Sequence, residues 1–198
     1  MRGWWLTAMA GLMMSGVAFG QGDSALTGRI GVGLSLGLDT GGEIGLDQSE
    51  EDLAFGGQVT AWLTDIWSVE GSVVRWSDSP FLSRFPQAGF DITTVAVTAR
   101  ARMAVDFGVP GIDGGWTLEP YAGAGVAYHL IDGKKSHRFD DAFGFHLAAG
   151  LETARFDPVV LFFDARLQFF DLDGRFDGEK YSTSFNNLLL RVGVSFLF

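Results

Sequence analysis

Ser136 and His137 stand side by side in the chain, with Asp140 and Asp141 shortly after them. A hydroxyl, an imidazole and a carboxylate are the parts of a nucleophilic triad, in which the acid orients the base and the base takes the serine proton. That chemistry needs three fixed orientations, and neighbours in one connecting segment supply none. His129 and His146 are a second candidate, a pair of imidazoles for a metal ion, but no third ligand accompanies them. "DLDGRFDGE" offers Asp171, Asp173, Asp177 and Glu179 at spacings loosely like a calcium loop. A helix-flanked calcium loop requires more acids in a fixed register, so a solvated acidic tip is expected instead. The expectation is no catalytic set, no metal and no cofactor.

The remaining charged residues form a more balanced set. Arg29, Arg100, Arg102, Arg166 and Arg191 match Glu70, Glu119, Glu152 and Asp164 in sign and almost in number. What makes them a set is the pattern of the segments that carry them. From Leu26 onward the chain repeats stretches that alternate apolar with small or polar residues, the period of a β-strand. Eight such stretches follow one another: 26–38, 53–63, from Trp67, 92–105, 116–130, 142–153, 159–170, and a last one ending at Phe198. In the first, Ile30, Val32, Leu34, Leu36 and Leu38 share one face, and Arg29, Gly31, Gly33, Ser35 and Gly37 the other. All nine charged residues above lie on the small-and-polar face.

The connections alternate as well. Thr64-Asp65 and Phe156-Asp157-Pro158 are tight turns, and 106–115 is a longer Gly-rich one. The others, 39–52, 77–90, 131–141 and 171–184, are longer and more polar. Short connections at one end and long ones at the other describe a barrel of up-and-down strands with both termini at the short-turn end.

Alternation does not say which face points outward, since a soluble eight-stranded barrel keeps its apolar face inside. Lysine decides. Lys134, Lys135 and Lys180 all fall in long connections, whereas a water-facing strand surface carries lysines of its own. The polar face is too small and too sparsely charged for a solvated exterior. It suits the interior of an eight-stranded barrel, which has room for side chains and nothing more. The 28 glycines in 198 residues fit the same crowding. Charges in that interior need partners, because an unpaired buried charge costs several kcal/mol. A paired interior network of the nine residues is therefore expected. Aromatic residues sit at strand ends, with Trp67, Trp116 and Phe198 at one level and Phe55, Tyr128, Phe143 and Phe169 at the other, as in interfacial girdles.

Composition narrows the function. The chain has no cysteine, so disulfides and thiolate chemistry are excluded. Its net charge of −10 argues against a nucleic-acid partner. The first twenty residues hold one arginine, an apolar run and Ala18-Phe19-Gly20 before Gln21, the pattern of a signal peptide. Residues 1–20 are expected to be a signal peptide and 21–198 the barrel.

"YAGAGVAY" (Tyr121–Tyr128), "FGFHLAAGLE" (Phe143–Glu152) and the terminal "RVGVSFLF" resemble the last strands of small outer-membrane β-barrel proteins. That group is similar to the transmembrane domain of outer membrane protein A and to outer membrane protein X. The resemblance implies an all-β fold, an eight-stranded antiparallel up-and-down transmembrane β-barrel in the bacterial outer membrane. It implies contact with outer-membrane lipid and lipopolysaccharide. It also implies recognition by the barrel assembly machinery, whose signal Phe196 and Phe198 resemble. No segment matches the motifs of the barrels that modify lipid A. The expected role is a non-enzymatic envelope or surface-interaction protein with an unidentified surface ligand. The alternatives are a narrow pore for small solutes and a lipid A-modifying enzyme.

Overall fold

Where small inward residues alternate with apolar outward ones, the chain is extended and hydrogen-bonded on both sides. The structure is a computed structural model that describes residues 24–39, 52–77, 90–107, 116–133, 138–176 and 179–198. The expected signal peptide, residues 1–20, lies outside the described residues.

The strands are β1 (Ile30–Asp39), β2 (Asp52–Trp62), β3 (Trp67–Ser77), β4 (Phe90–Arg102), β5 (Val105–Phe107), β6 (Trp116–Gly133), β7 (Arg138–Phe139), β8 (Ala142–Phe156), β9 (Val159–Phe176) and β10 (Glu179–Leu197). Eight are long. The short β5 carries the pairing of β4 with β6 past Met103 and Ala104, and β7 carries that of β8 with β9 past Asp140 and Asp141. Each long strand pairs antiparallel with its neighbours in sequence, and β10 pairs with both β9 and β1. The sheet is thus a closed barrel of eight strands, which leaves no edge to attract another chain.

The exterior is apolar. Leu34 is 71% exposed and Phe143 69%, and along β1 exposed and buried residues alternate without a break. An apolar surface of this extent requires hydrocarbon as its solvent. Among the described residues no helix is long and apolar enough to cross a membrane. The strands cross instead. β6, β9 and β10 are 18, 18 and 19 residues long, well beyond the 9–11 or so that a tilted strand needs to cross.

The extra length corrects two expectations. The segment 171–184 is not a long connection: β9 runs to Phe176, β10 begins at Glu179, and the register is continuous from Glu179↔Phe176 downward. The polar residues there simply face outward, since Asp171, Asp173, Ser182 and Ser184 are all exposed. The second correction is at Leu26, expected in the first strand. The strand begins at Ile30, and Leu26 lies in a turn that buries it completely inside the barrel.

The tight turns Leu63–Ile66 and Asp157–Pro158 lie at one end, where Ile30 of β1 also meets Phe198 in reciprocal backbone bonds of 2.8 and 3.4 Å. Both ends of the sheet's chain therefore sit at the turn end. Thr64 holds its turn by accepting the Trp67 amide at 2.8 Å and the Ile66 amide at 3.2 Å.

Candidate functional site: the filled lumen

Inward-facing side chains fill the barrel in layers. The middle layer is ionic. Glu70 of β3 receives three arginines: Arg100 of β4 at 3.3 Å, Arg191 of β10 at 3.4 Å, and Arg166 of β9. Asp164 of β9 takes Arg166 at 3.0 Å and both Nε and Nη2 of Arg191, at 2.8 and 3.0 Å. Arg100 also pairs with Glu152 of β8 at 2.7 Å. All six are at least 98% buried. The planar, multi-donor guanidinium suits such shared pairing, which a lysine could not reproduce.

Uncharged neighbours complete the layer. Ser68 and Ser72 accept from Arg100 and Arg166 at 3.3 and 3.2 Å. The Tyr121 hydroxyl donates to Asp164 at 3.1 Å, and the Arg100 guanidinium lies 4.5 Å from the Tyr121 ring centre. Gly150 makes the room: a Cβ there would sit 2.5 Å from the Tyr121 oxygen.

Nearer the turn end, Arg102 of β4 pairs with Glu119 of β6. The same guanidinium donates to the Thr64 carbonyl at 2.7 Å. Trp62 joins this level to the middle one by donating its indole N–H to Glu152 at 3.0 Å.

Of the nine residues expected in the network, eight lie in the lumen and one does not. Arg29 stands at the rim, partly exposed, paired at 2.7 Å with Asp157 of the β8–β9 turn. It precedes β1 and so falls outside the alternation that would have pointed it inward.

The other candidates are dispersed. His129 and His146 are buried on β6 and β8, but the register pairs His146 with Gly125 and His129 with Ala142, which sets them apart along the wall. Each binds its own threonine: His129 Nδ1 with Thr94 and His146 Nε2 with Thr98, both at 2.8 Å. The His129 ring is also stacked on Phe170 at 3.9 Å. Ser136 and His137 lie outside the described residues. Asp141 accepts the Ile131 amide at 3.2 Å and the Tyr128 hydroxyl at 3.1 Å, so it closes a hairpin. Asp171 and Asp173 lie along paired strand, with Asp171 accepting the Ser184 hydroxyl at 2.9 Å; Asp177 lies outside the described residues, and Glu179 opens β10. Among the described residues no three potential metal ligands come together. Phe196 and Phe198 face outward at the end of the last strand, 53% and 79% exposed.

Sequence reasoning missed a third layer. At the loop end the lumen is mostly apolar, packed with Val74, Trp76, Ile92, Phe170, Leu172 and Leu189, among others, with one buried polar pair, Asn187 donating to Asp39 at 2.6 Å. These occupy the same inward phase as the ionic residues below them. The signal was present, since Val74 and Trp76 continue the Glu70–Ser72 phase, but apolar residues on a strand read as lipid-facing.

The family model for the outer membrane protein beta-barrel domain matches residues 7–196. Several solved structures share the fold. Neisserial surface protein A is 13% identical, with a TM-score of 0.56 over 86% of this chain and 96% of that one. The outer membrane protein OprG from Pseudomonas aeruginosa is 16% identical, with a TM-score of 0.54 over 90% and 98%. The N-terminal β-barrel domain of Pseudomonas aeruginosa OprF is 16% identical, with a TM-score of 0.51 over 87% and 98%. At such identities the likeness is one of fold alone. No curated protein matches the chain. With the closed barrel and its apolar outer wall, the match over most of the chain shows that it belongs to the outer membrane protein β-barrel domain family, embedded in the bacterial outer membrane.

Proposed function

We propose that the protein is a non-enzymatic anchor of the cell envelope, whose outward connections meet lipopolysaccharide or a surface ligand while the barrel itself does no chemistry. The observation that carries this reading is the continuous filling of the lumen. An apolar layer, an ionic layer and the Arg102–Glu119 pair follow one another from loop end to turn end. A steady pore would require the ionic layer to part, and Arg191 alone is held there by three hydrogen bonds to Asp164 and Glu70. An enzyme would need a base beside a reachable nucleophile. The two lumen histidines are buried against threonines instead. In this reading the barrel assembly machinery takes up the outward Phe196 and Phe198 during insertion.

The test uses the purified protein refolded into bilayers containing lipopolysaccharide. The expected result is lipid A of unchanged mass, no steady conductance, and retention of lipopolysaccharide on the protein. Hydrolysis or transfer of lipid A acyl chains would overturn the reading in favour of an enzyme. Steady conductance lost in Arg100→Ala would overturn it in favour of a pore.

A further inference from the structure

We propose that Ser24–Gly28 is a strap that closes the turn-end mouth of the lumen from inside, so that the barrel is sealed on its periplasmic side by the segment preceding its first strand. The inference is independent of what the outward connections bind.

These residues belong to no strand, yet Ser24 is 8% exposed and Leu26 not at all. Leu26 is buried in an apolar cluster with Trp62, Val160 and Leu197, the inward residues at the turn ends of β2, β9 and β10. Ser24 reaches further. Its hydroxyl lies 2.8 and 2.9 Å from the two carboxylate oxygens of Glu119 and accepts from Arg102 at 2.6 Å. In the ring of eight long strands β6, which carries Glu119, stands opposite β1. The strap therefore crosses the lumen from the seam strand to the far wall.

Its other end is tied to the β2–β3 turn. Thr27 bonds Asp65 at 2.5 Å and receives Arg102 at 3.2 Å, and the Gly28 amide donates to the Trp62 carbonyl at 2.7 Å. Gly28 is the hinge. Its φ of +78° is a left-handed conformation that other residues resist, while nothing crowds the space where a Cβ would be. The glycine is there for backbone direction and not for room. Because no ladder bond of the sheet runs through Ser24–Thr27, the strap can leave while the barrel stays closed. Its departure would open the Arg102–Glu119 pair to water from the periplasmic side.

The absence of cysteine makes the test direct. In the full mature chain, refolded in detergent micelles, the thiol of Leu26→Cys should react with a maleimide about tenfold or more slowly than that of Leu63→Cys on the neighbouring exposed turn, since reaction requires local opening. Adding Gly28→Val should bring the Leu26→Cys rate close to the Leu63→Cys rate, with the folded migration in unheated electrophoresis unchanged. Equal rates without Gly28→Val would overturn the proposal, as would continued protection of the Leu26→Cys thiol in a folded chain that also carries Gly28→Val. Should Leu26→Cys not fold, a nitroxide on Ala25→Cys reads the same event from the strap's exposed side. It should be immobile in the otherwise native chain and mobile with Gly28→Val, and the absence of that change would be equally fatal.

Discussion

The barrel has two regions that obey opposite rules. Through its middle, apolar residues face out and polar ones face in, as with Leu147 and Val192 outside and Glu70 and Arg191 inside. Toward the loop end the sense reverses on β3, β4 and β9, while β1 and β2 keep it, with Leu38 and Leu53 exposed and Asp39 buried against Asn187. On β9, outward Phe169 gives way to Asp171 and Asp173, while inward Gln168 gives way to Phe170 and Leu172. On β3, outward Val73 is followed by Arg75, and inward Ser72 by Val74 and Trp76. On β4, Asp91 and Thr93 lie outside and Ile92 inside. The strands and their pairing run through the change without interruption. Side-chain polarity therefore tracks what lies beyond the wall. Where the surroundings are hydrocarbon, the lumen carries the polar residues; where they are water and headgroups, the loop-end collar has the apolar core of a soluble barrel.

The two regions should fail differently. Glu70→Ala strips three arginines of a shared partner, and the expected loss is about 3–5 kcal/mol in urea titrations of the refolded protein. Adding Arg166→Met should return part of it, because less positive charge is then left unmatched. No recovery in the double variant would mean that the layer acts by packing and not by charge balance. In the collar, Leu172→Ala removes volume alone, at an expected cost of about 2–5 kcal/mol. A second truncation nearby, Phe185→Ala, should deepen that loss. Compensation between the two would erase the distinction between the regions.

The reversal also explains what the sequence disclosed. The eight strands, their order and the lumen's ionic residues were legible because polar and apolar types separate cleanly at period two through the membrane zone. Arg100, Arg166 and Asp164 stood out against glycines and serines. Legibility ended where the rule inverted. Asp171, Asp173, Ser182 and Ser184 are paired strand, but a polar outward face read against a lipid-facing expectation looks like a loop. The apolar lumen of the collar was hidden by the same reversal, since Trp76 and Leu189 resemble membrane-facing residues until their phase is compared with that of Glu70 and Arg191. Arg29 and Leu26 were misplaced for another reason. Both precede β1, and their positions are set by a turn at Gly28 that strand periodicity does not encode.

The outer surface offers the finest test of where one region ends. Leu147 on β8 is half exposed, flanked by Ala124 on β6 and Leu167 on β9, in the middle of the apolar band. An arginine there must carry its charge into hydrocarbon, and Leu147→Arg should cost about 2–4 kcal/mol. Ser182 on β10 is exposed in the collar opposite Asp173, and Ser182→Arg should cost about 0–1 kcal/mol, the range for an interfacial position. Both outward side chains belong to one continuous sheet, so strand propensity and pairing cannot produce the difference. Equal costs for the two would place Ser182 within the hydrocarbon, and the apolar lumen at its level would then need a cause other than the solvent outside.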